Sequence, residues 1–123
     1  MTVNIVDQAE KYYQLIGEKN IEEFKDFLDP NVEFSGPLAK LRGKDAVVEA
    51  TSNFIKMFKS LKIRAKFGSG DQAMIIYDVD VPGLMEKFPG ASLLSFQGGL
   101  IVRIELFYDG SHFVEKKEEI FSS

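Results

Sequence analysis

Two aspartates in one largely apolar segment are the residues of this sequence that are best placed to do chemistry. Asp78 and Asp80 lie in residues 74–81, a segment that is predicted to form a strand. A carboxylate held inside an apolar pocket loses hydration, so its pKa rises and it can act as a general acid or base near neutral pH. Strict alternation, however, buries Ile75 and Tyr77 and leaves both aspartates in solvent. The first half of the segment is apolar in both phases, so the orientation of Asp78 stays open.

The rest of the composition removes several other kinds of chemistry. The chain of 123 residues has no cysteine and a single histidine, His112. Disulfides, thiolate catalysis and sulfur-ligated metals are therefore excluded. A metal site would have to consist almost wholly of carboxylates, and a Ser-His-Asp triad could use only His112. We predict no metal and no cofactor.

Charge and hydropathy limit the partners that the chain can have. The net charge is -4, and the longest basic cluster is the pair Lys116 and Lys117. Nucleic acid is therefore not an expected partner, since neutralising phosphates needs a concentrated basic face. The first ten residues contain Asp7 and Glu10 and no apolar run of signal-peptide length, and no stretch approaches the ~20 apolar residues of a membrane span. We expect a cytoplasmic protein that makes no membrane contact.

Three helices are predicted in the first half of the chain. Apolar residues at steps of three or four indicate a helix over residues 3–16, ended by Gly17. Asn20, with Glu23 three residues later, predicts a capped short helix that continues to Leu28. Asp45 begins the third helix. Its apolar stripe is Val47, Ala50, Phe54, Met57 and Phe58.

The period then changes from that of a helix to that of a strand. Strands are predicted at residues 31–35, 62–67, 74–81, 90–96 and 100–109, and the pair Gly98 and Gly99 is a strong hairpin signal. Helices followed by strands favour an α+β domain, with helices packed on one face of an antiparallel sheet. Since no linker or repeat interrupts the pattern, residues 1–123 are predicted to form a single domain.

The order of these elements resembles that of a known superfamily. The residues that carry the resemblance are Asn20 to Phe24, Val32 to Phe34, Gly43 before the third helix, and residues 99–109. Together they resemble the nuclear transport factor 2-like superfamily, in its SnoaL-like and ketosteroid-isomerase-like branch. The resemblance implies a cone, in which a curved antiparallel sheet wraps around a long helix in a cystatin-like α+β roll. It also implies an apolar pocket and a homodimer formed through the sheet.

Individual positions qualify what the resemblance implies about activity. Tyr12 lies where the tyrosine of a steroid isomerase would be, but Phe34 takes the position of the base and Ser92 lies near that of the second acid. Two of three catalytic groups are missing, which argues against steroid isomerisation. An epoxide hydrolase would need an acid on the last strand, whose pocket side carries Ile104 and Leu106.

The same strand carries charges on its other face. Arg103 and Glu105 are expected to form an ion pair there, on the surface or at a dimer interface, worth under about 1 kcal/mol if exposed. In residues 74–81, the resemblance implies that the side chains of Asp78 and Asp80 point into the cone. This orientation is opposite to the one that the alternation of apolar and polar residues predicts. Residues 82–90 would form either a lid over the pocket or a simple connection.

Three functions remain open. The first is the binding of a small apolar molecule in a pocket lined by Phe34, Phe54, Phe58, Ile76, Ile104, Leu106 and Tyr108. The second is a cofactor-independent isomerase, cyclase or lyase that acts on a small carbonyl compound through Asp78 and Tyr12. The third is a protein-interaction or assembly module that uses the sheet face, where changing Arg103 or Phe107 would disrupt association.

Overall fold

Three helices and six strands follow one another in the computed structural model, which describes residues 4–37, 39–83 and 85–108. The helices are α1 (Ile5–Gly17), α2 (Ile21–Phe24) and α3 (Lys44–Ile55), and a 3₁₀ turn (Lys25–Phe27) follows α2. The strands are β1 (Leu28–Ser35), β2 (Lys40–Arg42), β3 (Ser60–Ser69), β4 (Gln72–Val81), β5 (Met85–Gln97) and β6 (Leu100–Phe107). The predicted α+β class and the order of its main elements are confirmed. The predicted tail beyond Tyr108, with His112, lies outside the described residues.

The six strands form one curved, unclosed sheet in the order β2-β1-β6-β5-β4-β3. Adjacent strands of the sheet run antiparallel to each other, except that β1 and β6 run parallel. The prediction of a wholly antiparallel sheet was therefore wrong at this pair. No hairpin joins β1 to β6, and the chain between them is long enough to allow either direction.

Strand β2 is the element that the sequence pattern missed. Its residues Lys40–Arg42 pair with Glu33, Phe34 and Ser35 of β1. Three residues are too few to show an alternation, so no strand was predicted there. Strand β5 is also longer than predicted, since most of the segment 82–90 belongs to it and only residues 82 and 83 are described as a turn.

Helix α1 ends at Gly17, and its left-handed cap residue is Lys19 instead of the predicted Gly17. Lys19 has the left-handed φ of 62° and donates its N–H to the Ile16 carbonyl over 3.0 Å, while the Asn20 N–H reaches the Leu15 carbonyl over 2.9 Å. This is the Schellman arrangement, with a lysine where glycine is usual. Gly17 itself is helical. The absence of a side chain at this position lets β3 approach the helix closely, because a Cβ there would be 3.3 Å from the Leu61 carbonyl oxygen.

The second predicted cap is confirmed, although the helix that it opens is short. The Asn20 side chain accepts the N–H of Glu23 over 3.2 Å. Helix α2 stops at Phe24, and Leu28 already belongs to β1 instead of to the helix. The core lies between the helices and the concave face of the sheet, where α1 covers β3 and β4 and α3 lies against β1.

Candidate functional site

A cavity of about 90 Å³ lies between the helices and the concave face of the sheet. On the helical side it is lined by Tyr12, Tyr13 and Ile16 of α1 and by Ala50, Thr51 and Phe54 of α3. On the sheet side it is lined by Phe34, Leu61, Tyr77, Val79, Phe88, Pro89, Gly90, Ile104, Leu106 and Tyr108. These side chains are mostly aromatic and aliphatic, and their polar atoms are the hydroxyl groups of tyrosines and one threonine. The site can hold a small apolar group and offer it hydrogen bonds.

Three buried hydroxyl groups meet at one side of this cavity, and we call them the hydroxyl cluster: Tyr13, Tyr77 and Ser92. The Tyr13 hydroxyl donates to Ser92 Oγ over 2.5 Å, and the Tyr77 hydroxyl lies 3.1 Å from the same oxygen. The two rings stack with centroids 5.0 Å apart and an angle of 28° between their planes.

The elements place these three side chains together for simple reasons. Tyr13 lies on the face of α1 that packs on β4, where Tyr77 occupies the buried phase of the strand. Ser92 is opposite Ile75 in the β4–β5 register, two residues along β4 from Tyr77, so both side chains point to the same face. Ser92 is fully buried and satisfied by the two tyrosines, as a buried hydroxyl requires.

Gly90 provides the space in which the Tyr77 ring lies. It is paired with Tyr77 across the β4–β5 ladder. A Cβ at this position would lie 2.9 Å from Tyr77 Cε1 and 3.4 Å from its hydroxyl oxygen. Since Gly90 itself lines the cavity, its missing side chain keeps the edge of Tyr77 at the cavity wall.

Burial fixes the protonation state of the tyrosines. Loss of hydration raises the pKa of Tyr12, Tyr13 and Tyr77 well above 10, and burial raises the pKa of Tyr108 as well. All four phenols therefore stay neutral at physiological pH, where they can donate and accept hydrogen bonds but not exchange protons readily. The cavity lining within the described residues contains no carboxylate, lysine, arginine or histidine.

Of the two predicted catalytic residues, the structure places only Tyr12 at the cavity. It lines the cavity together with Thr51 of α3, and its ring packs edge-on against Phe24 with centroids 5.8 Å apart. Asp78 lies on the outer, convex face of the sheet, where it meets Arg64 over 3.4 Å. The structure thus contradicts the pairing of Asp78 with Tyr12 and the inward orientation of Asp80. The orientation predicted from alternation is the one observed along β4, where Tyr77 and Val79 are buried and the residues between them face outward.

The structure brings most of the predicted lining residues together. Phe34, Phe54, Ile104, Leu106 and Tyr108 all line the cavity. The prediction was wrong for two residues. Ile76 shares the outer phase of β4 with Asp78.

Phe58 is the second predicted lining residue that does not line the cavity. It is buried beside Phe54, with ring centroids 5.1 Å apart, and is covered by Lys19, whose ammonium lies 5.2 Å from the Phe58 ring centroid. Helix α3 ends at Ile55, so Phe58 does not continue the helical stripe that placed it in the lining.

The hydroxyl cluster is what the sequence pattern did not reveal. Ser92 was considered only as a replacement for an acid, and Tyr13 and Tyr77 only as buried positions. The available signal was three hydroxyl side chains at core-facing positions, but nothing in the sequence shows that α1 brings Tyr13 over β4. The predicted ion pair of Arg103 and Glu105 is present on the outer face, with 3.2 Å between its charged atoms.

The described residues hold no group of three or more side chains that could bind a metal ion. Among the helices described, none is long and apolar enough to cross a membrane.

A curved sheet backed by helices around an apolar cavity defines the nuclear transport factor 2-like class of α+β proteins. Within that class, the model of the SnoaL-like domain matches residues 9–104, and the chain belongs to this family. No curated protein matches the sequence significantly.

Solved structures show the same fold. A protein from Kribbella flavida superposes with a TM-score of 0.83 at 18% identity, covering 92% of each chain. A steroid delta-isomerase from Pseudomonas aeruginosa gives 0.79 at 17% identity, covering 98% of this chain and 90% of its own. A putative polyketide cyclase from Sinorhizobium meliloti gives 0.75 at 15% identity, covering 82% and 94%. At these identities the likeness establishes the fold alone.

Proposed function

We propose that this chain binds a small, uncharged and mainly apolar molecule in the cavity, without a cofactor. The observation that carries the proposal is the neutrality of the described lining, which combines aromatic and aliphatic walls with a few fixed hydroxyl groups. Apolar walls with few polar groups are typical of small-molecule sites. A charged ligand would be buried there without a counter-charge, which costs several kcal/mol.

The size of the cavity limits the ligand. A dry cavity of about 150 Å³ in another protein is large enough for benzene. The cavity here is smaller, at about 90 Å³, so it suits a short branched chain or part of a small ring. A larger molecule would have to leave part of itself outside the cavity.

The isomerase or cyclase alternative gains no support from the described cavity. General acid or base catalysis needs a group that titrates near the working pH and lies within reach of the substrate. Asp78 is on the other face of the sheet, Phe34 presents a ring to the cavity, and Ser92 is engaged by two tyrosines. Ligand binding needs only the apolar walls and hydroxyl groups that line the cavity, whereas turnover would also need an acid or base. We therefore favour binding.

Ligand binding can be tested by NMR titration with small neutral rings such as toluene, followed by chemical analysis of the recovered compound. We expect saturable shifts at Phe54, Leu106 and Tyr108, and unchanged toluene. Ala50→Leu, which fills the cavity from α3, should weaken binding at least tenfold. Glu49→Leu places the same side chain on the exposed side of α3 and is the matched control. Equal binding by native protein and Ala50→Leu would refute the proposal.

We further infer that two copies of the chain associate through the outer face of the sheet. Phe67 and Phe107 are 60% and 51% exposed there, and both are large apolar side chains. Cross-strand pairing places Ile76 and Ala91 in the same row as Phe107. This apolar row is the feature that supports a partner.

The charges beside the apolar row favour a second copy as that partner. The Arg64–Asp78 pair and the Arg103–Glu105 pair both lie on the outer face. Each pair contains both charge signs, so the patch can meet itself in a two-fold interface without net repulsion.

A further inference from the structure

The end of α1 lies close against the sheet, and one side chain reaches from it to the segment that follows α3. Gly17 is so near β3 that a Cβ would be 3.3 Å from the Leu61 carbonyl oxygen. From the turn after α1, the Lys19 ammonium donates to the Phe58 carbonyl over 2.9 Å and lies 5.2 Å from the centroid of the Phe58 ring. Both groups attract a cation. We call these two contacts of Lys19 with Phe58 the lysine tie.

Phe58 connects the lysine tie to the wall of the cavity. It belongs to the short segment between α3 and β3, where the Met57 N–H reaches the Phe54 carbonyl over 2.9 Å and the Lys59 N–H reaches a carbonyl of β4 over 2.7 Å. The buried Phe58 ring packs on the ring of Phe54 with centroids 5.1 Å apart. Phe54 lines the cavity. Contact therefore runs from Lys19 through Phe58 to a lining residue.

Lysine is an unusual residue for the backbone conformation that Lys19 adopts. Its φ of 62° is left-handed, a conformation that glycine takes without a steric cost and that other residues take only with one. Such strain persists where the surrounding structure compensates for it. The backbone hydrogen bonds of this turn would also form with glycine, so the compensation comes from the side chain of Lys19.

We propose that Lys19 is a positioning residue for the cavity, because it holds Phe54 at the wall through Phe58 and so limits the width of the ligand. This proposal rests on the proposed binding function and adds what determines the size of the ligand. A wide ligand can enter only by moving the end of α3, which breaks the lysine tie. A narrow ligand leaves the tie intact. The tie therefore selects against width.

Lys19→Met tests the lysine tie, because it keeps the apolar stem of the side chain and removes the ammonium group. We would measure the dissociation constants of toluene and of the wider 1,3,5-trimethylbenzene by NMR titration for native protein and variant. Comparing their ratio between the two proteins cancels the different hydration of the ligands. Without the tie, toluene should bind less tightly and the wider ring more tightly. Because Lys19 is exposed, the preference for toluene should fall by only about threefold, the worth of one weak hydrogen bond.

Three further variants separate positioning from simple stability. Lys19→Gly also lacks the ammonium group, but glycine adopts the left-handed φ without a steric cost, so this variant should resist urea at least as well as Lys19→Met. Its preference for toluene should still fall as it does in Lys19→Met. Lys19→Arg keeps a cation that can donate to the carbonyl and lie over the ring, so it should keep the native ratio. Lys11→Met, on the exposed side of α1, is the matched control and should also keep it.

The two ligands distinguish failure of this proposal from failure of the proposed function. If toluene binds but neither Lys19→Met nor Lys19→Gly lowers the preference for it, the positioning role is refuted and the binding function stands. An equal fall in Lys11→Met would refute the positioning role as well, since that lysine is not part of the tie. If the native protein binds neither compound, both proposals fall.

Discussion

At the scale of the residue, Gly90 shows how one missing side chain supports a site on the neighbouring strand. The Tyr77 ring lies against its backbone, and a Cβ would come within 2.9 Å of Tyr77 Cε1. Real Cβ atoms do not approach so closely, so the ring would have to move away from Ser92 and Tyr13. Gly90 is thus part of the hydroxyl cluster without contributing a polar atom.

We therefore expect Gly90→Ala to lower the free energy of unfolding by about 1–3 kcal/mol, the usual cost of forcing extra volume into a packed core. Urea denaturation measures this loss. Gly36→Ala is the control, because its Cβ would stand 3.4 Å from Leu106 Cβ, an ordinary contact. A Gly90→Ala protein as stable as the Gly36→Ala protein would contradict the packing that we describe.

The buried tyrosines also predict how stability depends on pH. Burial raises the pKa of Tyr12, Tyr13 and Tyr77 in the folded protein above the value near 10 of the unfolded chain. The folded state therefore keeps protons that the unfolded state releases, so their contribution is fully present below pH 10 and is lost as the pH rises further. Each tyrosine removes about 1.4 kcal/mol per pH unit in that range.

Urea denaturation between pH 8 and 11 would show this loss, and Tyr77→Phe would isolate one tyrosine from the lysines that titrate in the same range. The variant should be less stable than native protein at pH 8, and the difference between them should shrink above pH 10. A difference that stays constant with pH would mean that Tyr77 titrates in the folded protein like an exposed tyrosine.

At the scale of the element, the sequence was informative wherever a period or a cap recurs within the element itself. Alternation along β4 alone placed Tyr77 and Val79 inside and Asp78 outside, and it was right where the phase implied by the family resemblance was wrong. The β2 strand is three residues long and has no period to detect. The parallel pairing of β1 with β6 joins distant segments, and no local signal specifies it.

The site followed the same division. Five of the predicted lining residues lie at the cavity, where the family resemblance and the apolar pattern of each element placed them. The hydroxyl cluster needs α1, β4 and β5 to meet, and Tyr13 is 79 positions away from Ser92 in the chain. The way in which these three elements pack together brings the hydroxyl groups close. The periodicity of residues within a single element contains no information about that packing.

The cap of α2 is a local feature whose strength can be measured. The Asn20 side chain accepts the Glu23 N–H over 3.2 Å, and Asn20 also follows Lys19 in the turn that ends α1. We expect Asn20→Ala to cost about 1 kcal/mol of unfolding free energy, as is typical of a lost N-cap. Asn31→Ala, at an exposed position of β1, should cost less than about 0.5 kcal/mol in the same thermal or urea experiment. Equal losses would show that the cap contributes nothing specific.

At the scale of the whole molecule, the two proposed functions use opposite faces of the sheet. The concave face, with α1 and α3, encloses the cavity, and the convex face carries the exposed Phe67 and Phe107 between charged side chains. Because successive residues of a strand point to opposite faces, a change at Phe107 does not have to disturb Leu106, which lines the cavity. Association and ligand binding should therefore be separable by mutation.

Phe107→Asp tests this separation together with the proposed homodimer. Burying a carboxylate in an apolar contact between two copies is unfavourable, and the two-fold symmetry of such a contact would introduce the charge twice. In sedimentation equilibrium the native protein should be a dimer and Phe107→Asp a monomer, with toluene binding reduced less than about threefold. Gln14→Asp adds the same charge on the exposed side of α1 and should remain dimeric. A monomeric native protein would refute association through this face, while loss of toluene binding in a folded Phe107→Asp monomer would mean that the two faces act as one.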